Sequence, residues 1–329
     1  MKDSPISTDI DFNLCGIQHG FLKLPYSHDQ SAWGSIMIPI TVVKNGDGPT
    51  VLLTGANHGD EYEGPVALFK LAQELRTDDV MGRVIILPAM NYPAFLAGTR
   101  TSPIDKGNMN RVFPGKPDGT VTEKIADYIT RYLLPLADYV LDIHAGGKTL
   151  DFVPFAAVHV LDNKEQEASS VAAMKAFNAP YSMMMKEMDS IGMYDTTAEE
   201  MGKVFVSTEL GGGGMSTAKS NAIAERGIRN FLIHAGILTG EITFNPSIEL
   251  DMHDPNCFMI SEDEGLLEIC VDLGEDVSAG DIVARIHDIK RTGIPPQVYK
   301  AKKAGIMASR HFPGLVKMGD CLAVIATEC

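Results

Sequence analysis

The chain has 329 residues, with 43 acidic against 28 basic side chains and a formal charge of −15 when the histidines are neutral. About 45% of residues are apolar and 22% charged, a globular composition that excludes a disordered tail protein. So acidic a chain argues against a nucleic-acid partner, because phosphates select basic surfaces. The length exceeds what one core usually organises, so a large domain with a smaller companion is expected.

The opening residues, MKDSPISTDIDFN, hold neither a basic nor an apolar segment of the kind that signal peptides need. No apolar stretch approaches the roughly 20 residues of a membrane span. Cys15, Cys257, Cys270, Cys321 and Cys329 form no CxxC pair and read as free thiols of a reducing compartment. A cytoplasmic protein with no membrane partner is the expectation.

From about residue 36 to 240, short β-rich runs alternate with amphipathic segments. The runs lie at 36–43, 50–54, 83–88, 139–143, 157–161 and 204–208. A helix is expected over 64–76, with Pro65 in its first turn and Leu68, Leu71, Ala72 and Leu75 along one stripe. Thr120 and Glu123 have capping-box spacing and should open a second helix, with Ile125, Tyr128, Ile129 and Tyr132 on its buried face. A third helix is expected over 216–238, with Ile223, Gly227, Phe231 and His234 on one face. This alternation predicts an α/β fold with a mixed sheet flanked by helices.

Past Asn245 the helical stripes vanish. The stretch from Gly265 to Gly280-Asp281 is echoed by that from Gly305 to Gly319-Asp320, which suggests a small two-fold β-barrel. The division expected is therefore a catalytic α/β domain over 1–245 and a C-terminal β-barrel or sandwich over 246–329. The two copies are joined by a turn at Lys290. A modifiable lysine at such a turn would mark a carrier domain, but the flanking residues lack a carrier's context, so an appendage that shapes or covers the active site is favoured.

The chemistry gathers at strand ends, where open α/β sheets bind ligands. The 50–54 run leads into Gly55-Ala-Asn-His58-Gly-Asp-Glu61, an imidazole and a carboxylate three residues apart. In the 139–143 run, Asp142 and His144 point to one face because strand side chains alternate. A buried charge needs a partner, and a metal-bound histidine oriented by Asp142 would supply one. His58, Glu61 and His144 together form a His₂Glu set with an open fourth position, the pattern of catalytic zinc. Glu209, at the end of the 204–208 run, is suited to take a proton from a metal-activated water and to pass it to a leaving amine. The four glycines after Leu210 lack the GK[ST] of a phosphate loop and read as a flexible turn beside the substrate. His19, His28, His159, His253, His287 and His311 have no motif context and read as structural or surface residues.

GANHGDE, NMNRVFPG, DIHAG and TELGGG, in this order, resemble the succinylglutamate desuccinylase/aspartoacylase family, a branch of the zinc carboxypeptidase-like fold, from about residue 40 to the C-terminus. The resemblance implies one Zn²⁺ per subunit on His58, Glu61 and His144, with Glu209 as general base and acid. It also implies that Arg100 polarises the scissile carbonyl and that Asn110 and Arg111 hold the substrate's α-carboxylate. The expected partner is a small N-acyl amino acid, and homo-oligomerisation is left open.

The longer strings TSPIDKGNMNRVFPG and LDIHAGGKTLDFVPFAA are most similar to the family's Nα-acetyl-L-2,4-diaminobutyrate deacetylases of ectoine breakdown. Deacetylation of that compound to diaminobutyrate and acetate is the activity this implies. Succinylglutamate desuccinylase or aspartoacylase-type hydrolysis is the alternative, and a non-catalytic zinc or ligand-binding protein is the reading of another class. Family members acting on acyl-aspartate carry an extra arginine about ten residues before the base. Here that stretch reads Thr197-Ala-Glu199-Glu200, which suits an amino side chain, although it also has the spacing of a capping box that would merely start a helix.

Overall fold

A computed structural model describes residues 2–186 and 190–329. Three parallel strands, Thr50–Gly55, Tyr139–His144 and Val204–Glu209, form the centre of a large mixed sheet. Gly82–Leu87 continues it in parallel on one side, followed by antiparallel Ser35–Asn45 and Gly16–Pro25. On the other side lie Phe155–His159 and Tyr181–Met185.

The central strands are near-continuous apolar runs because both faces are covered. Their side chains sort by parity. Val51, Leu53, Val84, Ile86, Leu141, Ile143 and Val206 enter one core. That core is closed by the helices Glu63–Glu74, Lys164–Phe177 and Ala218–His234. Leu52, Ile85, Leu87, Val140 and Phe205 enter the other. It is closed by the helices Val121–Tyr128 and Tyr194–Glu200 and by the N-terminal strands. The capping box at Thr120 forms as expected, with both reciprocal bonds to Glu123 present.

The C-terminal segment extends the same sheet. Ile248–Asp251 pairs in parallel with Tyr181–Met185 and antiparallel with Cys321–Glu328, which pairs in turn with Gly305–His311. The internal echo is real in three dimensions. The short strand of each copy pairs with the first strand of the other, Asp276–Val277 with Gly305–His311 and Leu315–Val316 with Gly265–Ile269. Val153, Phe155 and Met183 share one apolar cluster with Leu250, Ile306 and Ala326, so this unit is seated on the large sheet by a common core. All five cysteines are free thiols. Among the described residues, no helix is long and apolar enough to cross a membrane.

Candidate active site

Register explains why the expected residues meet. Thr54 pairs with Asp142 and Glu209 with His144. The C-terminal ends of three parallel strands therefore lie side by side, with Asp142, His144 and Glu209 directed toward one face.

After Gly55 the chain turns sharply. Ala56 has φ +50°, and Gly59 runs so close to the next loop that a Cβ there would lie 2.0 Å from the Ala94 carbonyl carbon. Only glycine fits this approach, and it sets the turn that aims His58 and Glu61 back at the sheet. Gly59→Ala is expected to lower stability by about 3 kcal/mol, the upper range for overpacking, as read by denaturant unfolding. An unchanged midpoint would mean that the Ala94 backbone yields freely.

His58, Glu61 and His144 are all buried, and their ligand atoms lie within 4.8 Å of one another. Glu61 Oε1 is 2.7 Å from His58 Nδ1 and its Oε2 is 2.9 Å from His144 Nδ1. The backbone N–H of Ala145 also donates to Oε2 at 3.2 Å. On the opposite edge of the His144 ring, Nε2 lies 2.7 Å from Asp142 Oδ2, which leaves Nδ1 to face Glu61. Asp142 is itself fixed by Thr54 Oγ1, donating at 2.7 Å, and Asn57 Nδ2, donating at 3.0 Å. Asn91 Nδ2 braces the Asn57 carbonyl at 3.1 Å.

Burial opposes charge on each of these groups, and attraction between them outweighs it at Glu61 and His144. The two histidines overcome burial and hold Glu61 well below the usual carboxylate range. The Asp142 and Glu61 carboxylates likewise hold the His144 pKa well above that of an ordinary histidine. At His58 burial prevails and lowers the value despite Glu61. A donor set of two imidazoles and a carboxylate converging at this spacing suits a divalent metal, which would take the place now filled by contacts among the three.

Burial, reinforced by the nearby Glu61 charge, pushes the Glu209 carboxyl up to about 8. Its Oε2 is buried without a hydrogen-bond partner among the described residues. Arg100, half exposed, places Nη1 3.6 Å from Glu61 Oε1. Asn110 is buried and accepts the Tyr194 N–H through Oδ1 at 3.0 Å. Arg111 Nη1 donates to the Asn110 carbonyl at 2.6 Å. His58, His144, Glu209, Arg100, Asn110 and Arg111 line one cavity of about 450 Å³. Met252, Phe258, Ile260, Cys321 and Val324 of the C-terminal unit form part of its wall.

A family model for the succinylglutamate desuccinylase/aspartoacylase catalytic domain matches residues 47–235. The chain is 58% identical, over 99% of its length and 96% of the relative's, to an N-alpha-acetyl-L-2,4-diaminobutyric acid deacetylase of Halomonas elongata. The chain belongs to the succinylglutamate desuccinylase/aspartoacylase family. Among solved structures of this family, it superposes on the product-bound ectoine utilization protein EutE (DoeB) of Ruegeria pomeroyi with a TM-score of 0.97 at 63% identity, covering 99% of this chain and 100% of that one. A succinylglutamate desuccinylase/aspartoacylase of Rhodobacter sphaeroides gives 0.94 at 37% identity, with 99% of each chain covered.

Three features of this site correct or narrow the sequence reading. The stretch at Thr197 does not start a helix. The helix runs Tyr194–Glu200, and Thr197 lies inside it, its hydroxyl donating back to the Met193 carbonyl at 2.9 Å. Of the two readings left for His159, structural or surface, the structure takes the structural one. His159 ends the Phe155–His159 strand, is buried, lines the active-site cavity and lies 2.8 Å from Glu199 through Nδ1. Its place inside the expected 157–161 run, a histidine in an otherwise apolar stretch, was the available signal. Finally, the glycines at 211–214 all have positive φ and fasten the protein's own loop. Gly146 and Phe152 donate to the Gly211 carbonyl, and Gly213 donates to that of Leu150.

Proposed function

We propose that this protein is a zinc-dependent amidohydrolase that removes the acetyl group from Nα-acetyl-L-2,4-diaminobutyrate, yielding diaminobutyrate and acetate in ectoine catabolism. The observation that carries the reading is the alignment of three strand ends. It sets a buried His₂Glu cluster beside an unpaired carboxylate in a cavity that also holds two arginines. Whole-chain identity to a deacetylase of this specificity supports the choice of substrate.

In this assignment His58, Glu61 and His144 hold one Zn²⁺ per subunit, which when bound supplies Lewis-acid polarisation of the acyl oxygen. Asp142 keeps the His144 ring in the tautomer and orientation a ligand needs. Asn110 and Arg111 grip the substrate's α-carboxylate, Arg being suited to bidentate contact. Arg100 stabilises charge that develops on the acyl oxygen. Glu209 takes a proton from the attacking water. As the C–N bond breaks, it delivers that proton to the departing α-amine. The carboxyl's high pKa in the free protein suits this shuttle, and a cation at the triad would draw it down toward the ionised, basic form. Residues 1–245 carry this machinery, while 246–329 close one side of the cavity and limit access to small molecules. A non-catalytic binder would have no use for a proton shuttle at Glu209. A small-molecule substrate, no nucleic-acid or membrane partner, and a cytoplasmic location complete the reading.

The test is a comparison of kcat/KM on Nα-acetyl-diaminobutyrate, Nα-acetylaspartate and Nα-succinylglutamate. Preference for the first by at least about 100-fold is expected, below the roughly 10⁴–10⁵ that fully complementary buried polar groups can reach. Faster turnover of either dianionic substrate would overturn the assignment.

A further inference from the structure

The cavity is electrically lopsided. Arg100, Asn110 and Arg111 line it, and so do His159, Asp195 and Glu199. The acidic residues come from the Tyr194–Glu200 helix, with Asp195 and Glu199 one turn apart and on one face. Both are about nine-tenths buried, so neither is a solvated surface charge.

Their partners differ. Glu199 Oε2 is occupied by His159 Nδ1 at 2.8 Å. Asp195 Oδ1 accepts the Thr196 N–H at 2.6 Å. Asp195 Oδ2 has no hydrogen bond among the described residues and lies 4.0 Å from His159 Nε2, beyond hydrogen-bond length. An ionised carboxylate held in a cavity without a full complement of donors is costly unless a ligand supplies them. Burial accordingly raises the Asp195 pKa.

The position of this oxygen is tied to that of the carboxylate-binding pair. Asn110 Oδ1 accepts the N–H of Tyr194, the residue immediately before Asp195. The loop carrying Asn110 and Arg111 and the helix carrying Asp195 are thus joined at the cavity wall. The structure offers cationic and amide donors on one side of that junction and an acidic acceptor on the other.

We propose that Asp195, backed by the His159–Glu199 pair, is the subsite for a primary ammonium on the substrate's side chain and sets the enzyme's preference for a basic amino acid over neutral or acidic ones. The ammonium donates to Asp195 Oδ2 while the α-carboxylate is held by Asn110 and Arg111. The Glu199 carboxylate holds His159 beside Asp195 through the contact at Nδ1. A side-chain carboxylate placed there would meet two buried acids, which rejects dianionic substrates by repulsion. This inference rests on the hydrolase reading above and adds the residue that reads the side chain.

The test measures kcat/KM on Nα-acetyl-L-2,4-diaminobutyrate and on Nα-acetyl-L-norvaline, an analogue of similar length without the amine. The measurements use the zinc-loaded full chain and its Asp195→Asn, Asp195→Glu and Asp195→Ser variants. In the unmodified protein the diaminobutyrate derivative is expected to be preferred at least tenfold. Asn should reduce that preference about tenfold or more, with the loss lying in KM. Glu, which keeps the charge, should retain more of it. Should the Asn variant not fold, Ser carries the same comparison. A wild-type protein with no preference overturns the substrate reading itself. A preference that survives in the charge-removing variants, or a loss equal on both substrates, overturns the subsite alone.

Discussion

Glu209→Gln is expected to reduce kcat by about 10³-fold or more while leaving metal content unchanged. The amide keeps the size and most contacts of the carboxyl but can no longer take a proton from water or return it to the amine, and such transfer contributes about 10²–10⁴-fold. The position is set by backbone pairing with His144, and it makes no hydrogen bond through Oε2, so the substitution leaves no neighbour unpaired. Single-turnover and steady-state rates, with metal analysis on the same sample, decide the matter. A variant that turns over at near wild-type rate would remove Glu209 from the mechanism.

Replacement of His144 by alanine should abolish stable metal binding, with an affinity loss beyond the 10–100-fold that follows removal of a partner lying outside the ligand set. His144 is one of three side chains in the cluster among the described residues. Its loss also strands Asp142, whose buried charge is held by His144 together with Thr54 and Asn57, so a lower unfolding midpoint should accompany the metal loss. Elemental analysis after desalting, and the thermal shift on adding zinc, read the two effects separately. Full zinc occupancy in this variant would overturn the ligand set.

Tyr139–His144 and Val204–Glu209 were legible because each is a short apolar run ending in a residue that an apolar run should not contain. Asp142 and His144 interrupt one such strand, and a polar residue at that position demands a partner. Gly16–Pro25 was not legible as a strand, since its alternation serves a half-covered sheet and includes a glycine and polar residues. Tyr181–Met185 was hidden as well, a five-residue run rich in methionine. At Thr197 the spacing of a capping box was met by chance. Local spacing cannot reveal that a helix has already begun at Tyr194, because that start is fixed by the distant Asn110.

Read alone, the chain carried the α/β alternation and the two-fold repeat at its C-terminal end, and it marked His58, Glu61, His144 and Glu209 as candidates, because local spacing and strand-end position are visible in contiguous residues. Sheet register is what brings His58, Glu61 and His144 together. Tertiary structure alone decided that His159, Asp195 and Glu199 face the same cavity as Arg100 and Arg111, and that residues from the C-terminal unit wall it in. These relations depend on sheet order and helix docking between segments far apart in the chain. Packing sets them, and no local pattern of residue types encodes it.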